Sequence, residues 1–415
     1  MSLHSRRAFL TALGTAAVAS TAGCAGGIPG EGWPATADGT TDPLPGERDG
    51  WPQYRRDAGH SGFVPAQRFD DPSEDWRVET PGGLASPAVV GDSVFVHGIS
   101  GSDDGDEGPT VRSLAAVDGT ERWRRRLPSL GSGYSGATPI VYRGSVYVGN
   151  VGESGLYAID ARDGSRRWAY ETGSSVNEAA VGVDGRVFAT TGSELFAFDE
   201  RGNRQWTYQN GDDRATFAAP ALAGERLVHT TTVVDSVVGF DPAVNGPVSE
   251  WLYEDGDGFH EVVAAGETAY VTGDEHLHAI ASGPGERRWR APVAASATPS
   301  TDGDRVYLTT ESDTLIALAA GDGERLWEAM LADEEGVSLR TPPLVTERSV
   351  VVTTERTQGD AGIATYGVDR RSGEIRWRVE HDARVANGAV AVGGRLYVAM
   401  YDAGTETGTL LALRG

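Results

Sequence analysis

Six polar side chains with the chemistry to hold an ion or a charged ligand occupy two matched positions of a sequence repeat. Glu and Asn oxygens suit calcium, and an arginine guanidinium suits a carboxylate-rich ligand. Most other repeats carry small residues such as Ala, Ser and Thr at these positions. The candidates for an axial ion or ligand pocket are Asn177, Glu178, His260, Glu261, Arg340 and Asn387.

Three interpretations of this set remain open. The polar residues can line a water-filled channel in which Glu and Arg pair electrostatically, they can bind an ion or small ligand, or they can form a catalytic site. No Asp occupies either position to act as a general base. We therefore expect a hydrated channel and predict no catalytic residue.

Two further histidines, His276 and His278, alternate on one face of a predicted strand and can share a metal ion. A structural metal site normally needs more protein ligands than two. The sequence places no third ligand in register with the pair. The sequence therefore predicts a solvated strand face and no metal site.

The N-terminus reads as a targeting segment. Arg6 and Arg7 precede a short apolar stretch that ends in Thr-Ala-Gly-Cys, and the segment resembles a twin-arginine signal with a lipobox. We predict a signal peptide over residues 1–23 and a lipid on Cys24; the alternative is a plain secretory cut with an incidental cysteine. Residues 24–50 are rich in Gly, Pro and acids, as in a flexible tether. The predicted location is the outer face of the cytoplasmic membrane.

The composition is strongly acidic, with 36 basic against 60 acidic residues and a net charge of −24. Every basic residue is arginine. Such a surface fits a protein that works in multimolar salt, where self-repulsion is screened, and we favour a halophilic source over an acidic mesophile. A duplex nucleic-acid partner is disfavoured, because phosphate binding needs a basic surface. With one cysteine, the chain has no internal disulfide.

A repeat of about 40 residues dominates the chain and indicates blades or solenoid units. Each unit holds short alternating strands bounded by Gly, Asp and Pro, and a Gly usually lies four residues before a Trp. We assign that Gly to a turn with positive φ and the Trp to docking against the neighbouring blade. The predicted docking residues are Trp76, Trp123, Trp168, Trp206, Trp251, Trp289, Trp327 and Trp377.

Four strands per unit predict an all-β, eight-bladed β-propeller of four-stranded antiparallel blades. The last unit has three strands and no Trp, whereas the strand around Trp76 has no unit before it. We therefore predict that the strand at Trp76 completes the C-terminal blade and closes the ring. The predicted propeller domain spans residues 76–415, after a lead-in segment at residues 51–75.

The G-x-x-x-W phrases resemble the repeat of the pyrroloquinoline quinone (PQQ) dehydrogenase-like propellers, a family that includes BamB-like lipoproteins. The lead-in phrase WPQYRRDAGHSGF also resembles the segment that precedes such propellers. For an enzyme, the resemblance implies PQQ, a calcium ion, a carboxylate base and an adjacent Cys-Cys disulfide. That disulfide is impossible with Cys24 as the single cysteine, and the long insertions of the enzymes are missing.

The sequence therefore predicts a non-catalytic, extracytoplasmic lipoprotein of haloarchaeal type that serves as a protein-binding or assembly scaffold, with no cofactor. The alternatives are a PQQ-dependent alcohol or sugar dehydrogenase, with PQQ and calcium, and a solute-binding or sensor ectodomain. The expected contacts are the membrane, through Cys24, and an unidentified protein at one face of a monomeric ring. The inserts at residues 100–110 and 355–362 are candidates for that face.

Overall fold

The computed structural model describes most of the chain after the N-terminal segment. Arg6, Arg7, Cys24, Asn177 and Glu178 lie outside the described residues. Among the described residues, no helix is long and apolar enough to span a bilayer. The described ranges are 42–100, 108–127, 137–150, 155–174, 176, 181–191, 194–209, 218–231, 235–242, 249–332, 335–358, 362–402 and 404–415.

The first four blades are consecutive four-stranded antiparallel sheets, in which each strand pairs with the next one along the chain. From the inside outward we call the strands of a blade A to D. Blade 1 has β3 (Ala88–Val90), β4 (Ser93–Ser100), β5 (Gly108–Ala115) and β6 (Glu121–Arg126); blade 2 has β7 (Ile140–Tyr142), β8 (Ser145–Asn150), β9 (Gly155–Asp160) and β10 (Arg166–Glu171); blade 3 has β11 (Val181–Val183), β12 (Arg186–Thr190), β13 (Glu194–Asp199) and β14 (Arg204–Gln209); blade 4 has β15 (Ala221–Ala223), β16 (Arg226–Thr231), β17 (Ser236–Phe240) and β18 (Ser249–Glu254).

The remaining four blades follow the same pattern and confirm the predicted eight-bladed all-β propeller. Blade 5 has β19 (Phe259–Ala265), β20 (Thr268–Gly273), β21 (Leu277–Ala281) and β22 (Glu286–Ala291); blade 6 has β23 (Ser300–Thr301), β24 (Arg305–Thr309), β25 (Thr314–Ala319) and β26 (Arg325–Met330); blade 7 has β28 (Leu344–Thr346), β29 (Ser349–Thr353), β31 (Ile363–Asp369) and β32 (Ile375–His381); blade 8 has β33 (Val385–Val392), β34 (Arg395–Asp402), β35 (Thr407–Arg414) and, outermost, β2 (Ser73–Pro81). A short pair, β27 (Val337–Ser338) and β30 (Glu355–Arg356), stands beside blade 7.

Strand β2 joins the two ends of the chain in one sheet. It pairs antiparallel with β35, with Val78 opposite Leu410 and Trp76 opposite Ala412. The apolar side chains of blade 8 pack with residues of blades 1 and 7 in a shared cluster. The first strand of the ring is therefore bonded to the last, and the outer edge of β35 is covered.

The core lies between the blades. Each apolar cluster combines residues of neighbouring blades, as where Trp123 of blade 1 packs with Tyr157 and Ile159 of blade 2. The Trp side chains are buried, and seven of them donate the indole N–H to a backbone carbonyl at 2.6–3.2 Å. These seven are Trp76, Trp123, Trp168, Trp251, Trp289, Trp327 and Trp377.

The glycine of the repeat accounts for this docking. Gly323 has a φ of +77°, and a Cβ on it would lie 2.6 Å from Cε3 of Trp289 in the preceding blade. Gly164 and Trp123 meet in the same way. Only a residue without a side chain allows both the left-handed turn and the close approach of the indole. In the described part of the chain, a G-x-x-x-W phrase therefore links its blade to the preceding blade through the Gly and to the following blade through the Trp.

The antiparallel order gives the ring two different faces. Connections from B to C and from D to the next A emerge on one face, which we call the loop face. Turns from A to B and from C to D emerge on the other, the hairpin face. Neighbouring A strands contact one another around the axis, as β3 does with β7 and β33.

Residues 42–72 cross the hairpin face as a strap on the inner ends of the blades. Its short strand β1 (Phe63–Val64) pairs parallel with β28 of blade 7. Other strap residues bond to the inner strands or their turns, so that all eight blades are bound. In blade order, the bonded pairs are Trp51 with Val89, Pro52 with Val141, Gln53 with Gly182, Ala58 with Leu222, Gly59 with Ala264, Ser61 with Thr301, Gly62 with Val345 and Gln67 with Gly394.

Candidate functional site

The strap supplies a buried cation to the predicted axial pocket. Arg55 is 5% exposed and has a φ of +54°. Its guanidinium donates to the Ser300 hydroxyl and to the carbonyls of Pro299 and Pro343, so it links the inner strands of blades 6 and 7. Burial lowers the pKa of Arg55 to about 10, a value at which the side chain remains charged near neutral pH.

Glu261 on β19 is the acidic member of this group. Burial raises the pKa of its carboxyl group above the usual value. A hydrogen bond to Thr298 and the charges of His260 and Arg55 act in the opposite direction but are weaker. The Thr298 hydroxyl is also bonded to Tyr54 of the strap, at 3.0 Å. The charge of Arg55 therefore acts on Glu261, and sequence reasoning missed this cation because Arg55 lies outside the repeats.

A buried histidine holds the strap on blade 5. His60 is fully buried, and its Nδ1 lies 3.3 Å from the carbonyl oxygen of Val262. Burial lowers the pKa of His60 to about 3, so the ring is neutral. Its ring meets Tyr54 edge to face at 5.0 Å. These contacts make the strap a packed part of the channel wall.

The other described candidates for the axial pocket do not point to one centre. His260 is exposed, and its Nε2 lies 2.8 Å from the carboxylate of Asp274. Asn387 donates its amide to the carbonyl of Leu84, which joins blade 8 to blade 1. Arg340 is exposed, and its charge lowers the pKa of the half-buried Glu355, which burial raises more strongly. Three of the four described candidates therefore have partners or positions that do not require a common ligand.

The expectation of a solvated face at the second histidine pair is wrong for His278, which is fully buried. Asp257, from the connection between β18 and β19, supplies the third group that the sequence did not place in register. Its Oδ2 lies 2.9 Å from Nε2 of His278 and 3.2 Å from Nδ1 of His276. The three ligand atoms all lie within 4.8 Å of one another. The sequence signal that could have identified Asp257 is an acidic residue flanked by glycines just before an inner strand.

The electrostatics of this trio keep the carboxylate charged. Burial raises the pKa of Asp257, but hydrogen bonds from His278, from the Glu275 backbone and from His276 outweigh it and bring the pKa below its usual value. Burial lowers the pKa of His278 more than the two nearby aspartates raise it. The trio therefore combines an ionised carboxylate with imidazole nitrogens, a donor set for a divalent metal ion.

Two clefts lie elsewhere on the described surface. One of about 580 Å³ lies between the strap and blades 2 and 3, and its walls include Arg48, Asp57 and Arg143. Another of about 410 Å³ lies beside blades 7 and 8, near His381. Neither includes a described member of the predicted axial pocket.

The described axial residues do not fit a calcium–quinone centre. Calcium takes six to eight oxygen ligands in proteins, and several of these are normally carboxylates. Among the described members of the two repeat positions, Glu261 is the only carboxylate, and the Arg55 cation lies close enough to affect its pKa. A cation next to the carboxylate disfavours a second cation there. No catalytic step through PQQ follows from these residues.

Fold and sequence together define an eight-bladed propeller built from PQQ-like repeats. The profile of a family described as outer membrane protein assembly factor BamB matches residues 66–173, 107–246 and 234–364. These ranges cover well over half of the chain. The chain belongs to this family.

Solved structures of low sequence identity share the fold. BamB from Moraxella catarrhalis is 17% identical with a TM-score of 0.62, and the match covers 83% of this chain and 98% of that one. Quinohemoprotein alcohol dehydrogenase from Comamonas testosteroni is 13% identical with a TM-score of 0.70, and the match covers 90% of this chain and 83% of that one. At these identities, the likeness concerns the fold alone.

A relative by sequence is a much longer protein. The serine/threonine-protein kinase AfsK of Streptomyces coelicolor is 30% identical over a matched length of 325 residues, and the match covers 71% of this chain and 36% of the kinase. The chain thus spans little more than a third of that relative's length. The same kind of sequence therefore occurs as part of a longer protein kinase.

Proposed function

We propose that this chain is a non-catalytic propeller scaffold that binds another protein outside the cytoplasm. In this proposal the twin-arginine segment at Arg6 and Arg7 directs export, and a lipid on Cys24 anchors the chain to the outer face of the membrane. The family description names an assembly factor, and protein binding is the part of that role that we carry over.

One observation carries the proposal: among the axial side chains that the structure describes, Arg55, Asn387 and Glu261 are engaged with other blades or with the strap. Arg55 joins blades 6 and 7, and Asn387 joins blades 8 and 1. Glu261 bonds to Thr298, which in turn holds the strap through Tyr54. Because these groups already have protein partners, a polar ligand would have to break existing bonds in order to bind.

The loop face is the better candidate for the partner-binding surface. The strap crosses the centre of the hairpin face, whereas the connections that follow β4 and β29 emerge on the loop face. The described ends of the inserts predicted at residues 100–110 and 355–362 lie next to these two connections. Loops on a rigid scaffold are the usual location of recognition residues.

Site-specific photo-crosslinking in cells tests the face. Glu275 on the loop face and Glu267 on the hairpin face are both exposed and belong to blade 5, so they form a matched pair. A photoreactive residue at Glu275 is expected to give a discrete protein adduct that the same residue at Glu267 does not give. Equal adducts from both positions, or none from either, would argue against a scaffold that binds through the loop face.

Export and anchoring have their own test. Arg6→Lys together with Arg7→Lys is expected to leave unprocessed precursor inside the cell. Cys24→Ser is expected to release the folded body from the membrane fraction without changing its thermal stability. If Cys24→Ser stays in the membrane fraction, the lipid anchor is wrong, whereas the scaffold role still stands.

The absence of lysine and the net charge of −24 support a halophilic setting. The Debye length grows from about 3 Å at 1 M salt to about 10 Å at 0.1 M, so repulsion between acidic residues becomes stronger on dilution. The unfolding temperature is therefore expected to fall steadily from molar to decimolar potassium chloride. An unchanged unfolding temperature would favour the acidic mesophile.

A PQQ-dependent alcohol or sugar dehydrogenase is the second candidate, and the fold shared with quinohemoprotein alcohol dehydrogenase is the observation that favours it. A sensor or solute-binding ectodomain is the third, and it would use the charged clefts or the axial residues. Stoichiometric quinone binding distinguishes the dehydrogenase from the scaffold. Saturable solute binding that is lost on changing Arg340 would favour the sensor.

A further inference from the structure

We propose that Asp257, His276 and His278 form a binding site for a divalent transition metal ion such as Zn²⁺ on the loop face of blade 5. Asp257 comes from the connection that enters the blade, whereas His276 and His278 come from the end of the β20–β21 connection and from β21. Three features support the site. The donor atoms lie close together, the hydrogen bonds around His278 lack one proton, and neighbouring groups hold the ligands in place.

The donor atoms already lie close together. The Oδ2 of Asp257 is 2.9 Å from Nε2 of His278 and 3.2 Å from Nδ1 of His276, and the three atoms lie within 4.8 Å of one another. Zinc–ligand bonds of about 2.0–2.2 Å place tetrahedral ligands roughly 3.3 Å apart. Small movements of the His276 ring, which lies in a connection and is 21% exposed, can bring all three donors to this spacing.

The hydrogen bonds around His278 lack one proton. The chain of contacts runs from Asp257 to Nε2, from Nδ1 to the Tyr253 hydroxyl at 3.1 Å, and from that hydroxyl to Asp255 at 3.0 Å. Each of the three contacts needs a proton, but a neutral imidazole and a phenol supply only two. Either a second proton on the imidazole or a metal ion between Nε2 and Asp257 removes this deficit.

Metal-ligating histidines usually bond through their second nitrogen to an outer group that fixes the ring. Tyr253 fills this role for His278, and Asp255 in turn receives the Tyr253 hydroxyl and ion pairs from Arg287 and Arg290. The buried ring also meets Phe259 edge to face at 5.2 Å. The ring is therefore held with Nε2 directed at Asp257 whether or not a metal ion is bound.

The backbone holds the carboxylate in place. Asp257 accepts hydrogen bonds from the backbone N–H groups of Glu275, at 2.9 Å, and His276, at 3.1 Å. Gly273 leaves room for it, since a Cβ there would overlap the carboxylate. Three protein ligands with one partly exposed edge leave a fourth position for water, as in zinc sites that keep an open coordination position.

The donor set indicates the class of metal. Two imidazole nitrogens and one carboxylate oxygen suit Zn²⁺ and similar first-row ions, whereas Ca²⁺ and Mg²⁺ prefer sites built only from oxygen. The site lies on blade 5, and His276 and Asp257 do not belong to the repeat positions of the predicted axial pocket. Its occupation is therefore independent of any quinone.

The test is a titration of the metal-stripped full chain with Zn²⁺ in competition with a chromophoric chelator. The variants are His276→Gln and His278→Gln, and the control is His260→Gln, which removes an exposed histidine paired with Asp274 in the same blade. We expect one site per chain, at least about 100-fold weaker binding in both variants, and unchanged binding in the control. Cobalt(II) should give the absorption bands of tetrahedral coordination in the wild type and in the control.

The results distinguish a bound metal ion from a second proton on His278. No stoichiometric Zn²⁺ site in the wild type would overturn the proposal and assign the missing proton to an imidazolium. Binding that persists in both His276→Gln and His278→Gln would also overturn it. Tyr253→Phe keeps the ligands but removes the outer contact of His278, and we expect about 10-fold weaker binding in this variant.

Discussion

The link between blades through Gly and Trp predicts that Gly323→Ala destabilises the ring far more than a glycine change of equal backbone strain. Gly323 has a φ of +77°, and a Cβ would lie 2.6 Å from the Trp289 ring. Gly394 is the matched control, because its φ is +75° and nothing lies within 4 Å of the Cβ position. The two substitutions thus share the left-handed strain and differ in the contact with the indole.

The magnitude follows from these two contributions. A non-glycine residue in the left-handed region costs about 1–2 kcal/mol, which we expect for Gly394→Ala. Insertion of a methyl group into a packed contact costs about 1–3 kcal/mol more, so Gly323→Ala should cost roughly 2–5 kcal/mol in total. In a Trp289→Leu background the ring that causes the overlap is absent, so the added cost of Gly323→Ala should fall to roughly that of the control.

Urea unfolding followed by tryptophan fluorescence measures these differences, provided that the slope of the transition is unchanged between variants. The midpoint of Gly323→Ala should lie well below that of Gly394→Ala, and the double mutant should show a clear non-additive recovery. Equal midpoints for the two single variants, or strict additivity with Trp289→Leu, would refute the role given to the Gly–Trp contact.

Two further predictions concern the strap. His60 has a folded pKa of about 3, below the usual 6.5, so between these values the unfolded chain binds a proton that the folded chain does not. The contribution of His60 to stability is therefore complete above pH 6.5 and falls towards pH 3, by up to about 1.4 kcal/mol per pH unit. His60→Asn should reduce the measured slope of stability against pH by that amount. An unchanged slope would contradict the buried neutral ring. Arg55→Met should cost about 3 kcal/mol, because it leaves buried acceptors of two blades unpaired. The control Arg56→Met loses a 3.5 Å pair with Asp57 and should cost less than about 1 kcal/mol. Equal losses of stability for Arg55→Met and Arg56→Met in chemical denaturation would show that Arg55 does not hold the blades together.

The repeat allowed the ring of blades to be predicted from the sequence, but not the strap that crosses it. The Gly-to-Trp spacing recurs in most units, so the local rules of turn and strand identified the blades. Arg55 comes from a segment without repeats, and nothing in its local pattern reveals that it reaches Ser300, 245 residues away. Asp257 joins His276 and His278 only because the D-to-A and B-to-C connections emerge on the same face. Aligned positions likewise suggested one axial pocket, but position along a strand does not decide where a long side chain such as Arg340 points.

We propose that this member of the BamB family is a scaffold and not a quinone enzyme. Titration of the full chain with PQQ and calcium in concentrated potassium chloride tests it most directly, with Glu261→Ala as the comparison. If the chain is a scaffold, neither protein should show saturable quinone binding. Tight one-to-one binding that Glu261→Ala abolishes would contradict it and would favour the dehydrogenase.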